Sequence, residues 1–219
     1  MQRLFLSLSA VAFDLDDTLF DREVAVRTLV REWLGDVSIA EIQEILRRDG
    51  RGHAAREPFF AWLAATWPEL GENPWQRFRE ELPHHVMADP AARPLLERIT
   101  AADLPVALLT NGGTVTQLAK LQATGLTGFF PPERILISQS IGVEKPDPKS
   151  FTALTNALDL PPERILFIGD HAETDIAGAK NAGLRTCWLR RRDPGAICDE
   201  ADLVVDSLAE IISLLLHPA

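Results

Sequence analysis

Positive charge is scarce in this chain. Its 219 residues carry 22 Lys plus Arg against 32 Asp plus Glu, a formal net charge of −10. Only four of the 22 cations are lysines; the other 18 are arginines. An acidic chain is ill suited to holding a nucleic-acid backbone by bulk charge, so no nucleic-acid partner is expected. Cysteine is nearly absent. Cys187 and Cys198 are the only two, too few for a disulfide framework or a four-cysteine metal site, which points to a reducing, cytoplasmic setting. Long apolar runs are missing as well: none reaches the roughly 18 residues of a membrane span. The N-terminus comes nearest. Arg3, the apolar stretch from Leu4 broken by Ser7 and Ser9, and Ala10-Val11-Ala12 mimic a signal peptide with a small-residue cleavage site. A buried first strand, Leu8 to Phe13, is the preferred reading, because it feeds directly into a run of acids.

What is present is ordinary globular composition, 46% apolar and 25% charged, which excludes a disordered, collagen-like or coiled-coil chain. At about 150 residues per domain the length allows one full domain and a small insert.

After the first strand the pattern turns helical. Val24, Val26, Leu29, Val30, Trp33 and Leu34 repeat at helical spacing before Gly35. Ser38 and Glu41 fit a capping box opening a helix to Arg48. Pro58 to Trp67 forms a third helix, and Asn73-Pro74 starts a fourth. From Asp89 helices and strands alternate, with helices over 90–102, 114–124, 147–158, 172–182 and 207–216. The strands are Leu104 to Thr110, Arg134 to Ser138, Arg164 to Gly169, Leu184 to Leu189 and Leu203 to Asp206. Runs such as VALLT and ILFIG lack polar alternation, the mark of strands covered on both faces. The segment PPERIL occurs at 131–136 and again at 161–166, one helix-strand unit met twice. The expected architecture is a doubly wound α/β core, residues 1–20 and 89–219, with a helical insert at 21–88.

In such folds ligands sit beyond the carboxyl ends of the strands. Strand one ends in Asp14-Leu15-Asp16-Asp17-Thr18, strand two in Thr110-Asn111-Gly112-Gly113, and strand four in Gly169-Asp170, with Asp175 beyond. Lys145 stands in the loop Glu144-Lys145-Pro146-Asp147-Pro148. Asp14 and Asp16, two apart on extended chain, face one site. Carboxylates that close repel unless a cation or shared proton intervenes. With Asp170 as a third, and no His or Cys donor needed, the hard oxygens suit Mg²⁺. Thr110 offers a hydroxyl, and Asn111, Gly112 and Gly113 offer backbone N–H groups at a helix start, an arrangement fit for an anion.

DLDDT, LLTNGG, EKPDP and GDHAETD, in that order, resemble the haloacid dehalogenase superfamily of phosphohydrolases, and the insert resembles that family's cap. The resemblance spans the chain. It implies that Asp14 is the nucleophile forming an aspartyl phosphate. It implies that Asp16 protonates the leaving oxygen and then activates water. Thr110, Asn111 and Lys145 correspond to phosphoryl-binding positions. Asp170, the Asp14 carboxylate and the Asp16 carbonyl would hold Mg²⁺, with Asp175 behind them or paired with Lys145. The implied activity is a Mg²⁺-dependent phosphatase acting on a small phosphorylated metabolite. A phosphomutase shares the first motif. A silent phosphate-binding relative and a receiver-like switch are the readings outside catalysis.

Residues 21–88 hold nine arginines, no lysine and four of the five tryptophans. The segment from Arg47 to Arg56 is read either as a gripping surface for an anionic leaving group or as a solvated helix end. Most of Trp33, Trp62, Trp67 and Trp75 are expected in the insert's own core. Arg190, Arg191 and Arg192 are expected in solvent. His171 is expected at the edge of the site.

Overall fold

The computed structural model describes residues 8–191 and 195–216. The segment before Leu8 and Arg192 therefore lie outside the described residues. The chain divides into two compact units, one formed by 1–20 with 88–219 and the other by Asp21–Met87.

The first unit is built on a six-stranded parallel sheet of order β3-β2-β1-β4-β5-β6. The strands are β1 (Ala10–Phe13), β2 (Val106–Thr110), β3 (Ile135–Ile137), β4 (Ile165–Gly169), β5 (Arg185–Leu189) and β6 (Leu203–Val205). Every residue of β1, β2 and β4 is buried, which is why these runs carry no polar alternation. Register places Phe13 between Leu108 and Ile168, so β1 ends two residues short of the end of β2 and one short of the end of β4. One apolar layer joins Ala10, Ala12, Leu109 and Phe167 to Phe151 and Leu154 of a covering helix. Small residues on β1 and β2 make room for the Phe151–Phe167 pair, whose rings meet edge to face at 5.5 Å. Each PPERIL copy becomes a tight Pro-Glu-Arg turn, at Pro132–Arg134 and Pro162–Arg164, that delivers the chain into β3 and β4.

The second unit contains four helices: α1 (Arg22–Leu34), α2 (Ile39–Asp49), α3 (Arg56–Thr66) and α4 (Pro74–Glu81). Side-chain caps set three of these starts, those at Ser38 and Asn73 as expected. Asp21 accepts from Val24 N–H, Ser38 and Glu41 close a reciprocal box, and Asn73 caps Gln76. Trp33 is buried and its indole N–H donates to Glu81 at 2.6 Å. Phe60 packs against both Trp75 and Phe78. Trp62 and Trp67 meet edge to face, and the Arg48 guanidinium lies 4.3 Å from the Trp62 ring. Only Trp33 of the four is buried as expected; Trp62 and Trp67 are half-buried and Trp75 is exposed, each packing against another ring of this unit.

The Arg47–Arg56 segment fits neither sequence reading as a whole. Arg47 and Arg48 do stay on the surface, both paired with Glu44. Arg56 does not: it and the buried Arg22 converge on Asp49, a carboxylate only 1% exposed. Asp49 accepts from both guanidinium groups and from the Gly52 N–H, which closes the loop after α2. Gly52 lies at φ 88° against the Arg22 guanidinium, with a hypothetical Cβ 3.2 Å from it. Arg56 is a loop lock rather than a free gripping side chain.

Helices α5 (Ala92–Ala101), α6 (Thr114–Ala123), α7 (Ser138–Ile141), α8 (Pro148–Leu158), α9 (Gly178–Asn181) and α10 (Leu208–Leu216) return the chain to the sheet unit. The two passes of chain at the unit boundary are tied together. Phe20 bridges to Ala88, and Asp89 N–H donates to the Leu19 carbonyl at 2.8 Å. Arg191 is not in solvent, as its place after β5 suggested, but pairs with Asp89 at 2.6 Å. Its guanidinium also reaches the Thr18 carbonyl, so it staples both passes. Arg190 pairs with Asp206.

The Asp49 cluster carries a stability prediction. Burial opposes its ionisation, but Arg22 and Arg56 outweigh burial and hold the carboxyl below its ordinary value. Asp49→Ala removes the carboxylate that the buried Arg22 faces and should cost about 3–5 kcal/mol, read as a lower unfolding midpoint in urea. Because the folded pKa is depressed, the stabilisation is complete above the ordinary carboxylate pKa. It should fade as pH falls through the lowered value.

Candidate active site

Asp14 follows β1 directly, and its N–H continues the ladder by donating to Ile168 O at 2.9 Å. Asp170 follows β4, Thr110 ends β2, and Lys145 comes from the loop before α8. The Lys145 ammonium is 3% exposed and donates to Asp14 Oδ1 and Asp175 Oδ1, each at 2.7 Å. A desolvated ammonium must be paired. Burial disfavours this cation, but the Asp14 and Asp175 charges outweigh it and push its pKa above the ordinary lysine value.

The carboxylates are strongly perturbed. Burial raises the Asp14 pKa to about 7, against the pull of the Lys145 cation and with the help of Asp175 and Asp16. Asp170 is pushed well above its usual value by burial and by Asp175, Asp14 and Asp17. Asp14, Asp170 and Asp175 each offer an oxygen within 4.8 Å of the others. Three buried acids facing one shared ammonium leave an excess of negative charge, the environment a hard divalent cation relieves. The donor set is all oxygen, which fits Mg²⁺.

Asp175 stands with Asp14 and Asp170 in this group, and the Asp16 carboxylate lies outside it. Both Asp175 oxygens are already engaged, Oδ1 by Lys145 and Oδ2 by the His171 N–H at 3.1 Å. Asp175 reaches there because residues 172–177 form a π-helical turn, in which Ile176 N–H reaches back five residues to His171 O. The expected regular helix over 172–182 begins only at Gly178. His171 sits at the rim and its Nδ1 accepts from the Thr174 N–H.

Asp16 turns toward α6. Its Oδ1 accepts from Lys120 Nζ at 2.6 Å and its Oδ2 from Gln117 Nε2 at 2.8 Å. The same Gln117 amide nitrogen donates to Thr110 Oγ1 at 2.7 Å. Neither Gln117 nor Lys120 was singled out from sequence. The signal existed: both lie one turn apart on the helix that opens at the strand-two rim, and Lys120 is one of only four lysines.

Two expected contributions are spoken for. The Asn111 amide brackets the Lys145 backbone, donating to its carbonyl and accepting from its N–H, both at 2.8 Å. The Gly112 N–H, expected to face an anion, donates instead to Ser138 Oγ, and Thr114 N–H donates to Gln139. The rim of strand two is thereby fastened to α7.

With this geometry in view, residues 8–183 match the family of haloacid dehalogenase-like hydrolases. The chain belongs to that family. This hydrolase is 37% identical to the phosphoserine phosphatase of Thermus thermophilus, over 93% of this chain and 98% of that one. It is 27% identical to the glyceraldehyde 3-phosphate phosphatase of Pyrococcus furiosus, over 95% and 93%. Among solved structures, the HAD-hydrolase YfnB of Bacillus subtilis, bound to magnesium, aligns with a TM-score of 0.75 and 25% identity. That alignment covers 95% of this chain and 98% of that one.

Gly169 shows how tightly the acids are set. A Cβ there would fall 2.6 Å from Asp175 Cβ and Cγ, and real contacts do not come so close. Gly169→Ala should destabilise the fold by about 1–3 kcal/mol by overpacking. Chemical denaturation of the purified variant checks this.

Proposed function

We propose that this hydrolase is a Mg²⁺-dependent phosphomonoesterase that cleaves a small phosphorylated metabolite through an aspartyl phosphate on Asp14. The observation that carries the reading is the buried Asp14–Lys145–Asp175 bridge beside Asp170, at the carboxyl ends of the central strands. The names of the phosphoserine and glyceraldehyde 3-phosphate phosphatases support the substrate class.

The Asp14 carboxylate attacks phosphorus while the bond to the leaving oxygen breaks, and Asp16 gives that oxygen a proton. Asp16 then takes a proton from water, whose oxygen attacks phosphorus, and Asp14 is released with inorganic phosphate. One group serves as acid and then as base because the two displacements are successive. Lys145 neutralises the equatorial oxygens and keeps Asp14 ionised and aimed. Thr110 donates its hydroxyl to the phosphoryl group. Asn111 fixes the loop that presents Lys145. The Asp14 and Asp170 carboxylates and the Asp16 carbonyl would hold Mg²⁺, with Asp175 behind them. Bound Mg²⁺ supplies the positive charge that suppresses repulsion between carboxylate and phosphoryl oxygens.

Cytoplasmic residence belongs to the same reading. Cys187 and Cys198 form no disulfide, which supports a reducing setting. Among the described residues no helix is long and apolar enough to cross a membrane.

Phosphate release from a panel of phosphorylated metabolites and from p-nitrophenyl phosphate tests the proposal. Asp14→Asn keeps shape but removes the attacking charge, and kcat should fall at least about 10³-fold; a loss under tenfold contradicts the assignment. Activity should disappear in EDTA and return with Mg²⁺. Ca²⁺, whose looser shell misplaces the reacting atoms, should not restore it. Asp170→Ala should raise the Mg²⁺ requirement or abolish turnover.

A further inference from the structure

The environment of Asp16 is more elaborate than an acid at a strand end requires. Both of its oxygens are held by one face of α6, by Lys120 on one side and Gln117 on the other. Lys120 and Gln117 are 6% and 2% exposed. Burying an ammonium and a primary amide opposes folding unless both find partners, and here the partner is the carboxylate of Asp16. Only the amide nitrogen of Gln117 can face a carboxylate, so its orientation is set. Its second N–H goes to the Thr110 hydroxyl oxygen. Thr110 Oγ1 therefore acts as acceptor toward Gln117, which leaves its own proton to donate elsewhere.

Gly112 is part of the same arrangement. It sits at φ 142°, and a Cβ there would lie 3.0 Å from Gln117 Cγ and 3.1 Å from Cδ. The bare backbone at the strand-two rim gives the Gln117 side chain room to span from Asp16 to Thr110.

We propose that Lys120 and Gln117 are positioning residues. Lys120 holds the Asp16 carboxylate in one rotamer, and Gln117 couples that rotamer to the direction of the Thr110 hydroxyl. This assignment rests on the phosphatase reading and deepens it. The two residues act through Asp16 and Thr110, which makes their effect specific to the step those groups serve.

That specificity gives a readout that a structural role does not move. A poor leaving group needs the Asp16 proton, while p-nitrophenolate needs little protonation. Lys120→Met should lower kcat for an alkyl phosphate such as glycerol phosphate by about tenfold to a hundredfold. For p-nitrophenyl phosphate the loss should stay under about threefold, with KM nearly unchanged in both cases. In an Asp16→Asn background the same Lys120→Met change should cost no further activity, because its target is gone. Gln117→Leu should repeat the leaving-group bias and also raise KM, since Thr110 loses the partner that aims it.

Equal losses on both esters, or losses that simply add to those of Asp16→Asn, overturn the proposal. If Lys120→Met alone does not fold, the Asp16→Asn/Lys120→Met pair, with no stranded charge, and Gln117→Leu carry the comparison. A crystal structure of Lys120→Met provides a readout independent of turnover: Asp16 should leave its present rotamer, and an unchanged Asp16 overturns the proposal. Failure of the underlying reading looks different, because the wild-type protein would then release no phosphate from any ester.

Discussion

The structure depends on one electrostatic constraint: too many carboxylates share too little water at the ends of the central strands. Asp14, Asp17, Asp170 and Asp175 are each less than a tenth exposed, and Asp16 stands among them. Coulomb repulsion between such groups grows as solvent is removed. Two of the chain's four lysines are spent on it, Lys145 on Asp14 and Asp175 and Lys120 on Asp16. Arginine, otherwise the dominant cation here, is absent from these pairs. A compact ammonium can sit between two carboxylates 2.7 Å away on either side, where a planar guanidinium presents a wider fork.

The surrounding fold follows from holding that charge still. Parallel strands buried on both faces end within two residues of one another, so the acids emerge at one rim. Asn111 brackets Lys145, Ser138 and Gln139 fasten the strand-two rim, and Trp188 donates to the Asp170 carbonyl at 2.7 Å. The π-helical turn after Asp170 carries Asp175 back toward Lys145. Gly169 is bare because Asp175 occupies the space a side chain would need. The raised pKa values of Asp14 and Asp170 express their burial first, and then the neighbouring acid charge that Lys145 does not offset.

Much of this was legible in the residues. Uninterrupted apolar runs marked the buried strands, and the polar residues that end them marked the rim, because a strand covered on both faces can turn polar only where it leaves the sheet. Caps at Ser38 and Asn73 were legible because capping is local chemistry. The parts that stayed hidden involve contacts between distant segments. Nothing near Arg22 or Arg191 in sequence announces Asp49 as the focus of one or Asp89 as the partner of the other. The π-helical turn was read as a regular helix, since the demand for it comes from Lys145, 30 residues from Asp175. Gln117 and Lys120 passed as ordinary helix-surface residues, because their partner Asp16 lies more than 100 positions away.

The central claim is that Asp14 itself takes the phosphoryl group, and one measurement reaches it directly. The protein would be mixed with substrate and Mg²⁺, quenched in acid within a turnover, and digested for mass spectrometry. A phosphoryl group on the peptide carrying Asp14, absent in Asp14→Asn, is the predicted result. Phosphate release through repeated turnovers with that peptide unmodified at every quench time, or a phosphoryl group on a different residue, would contradict the account.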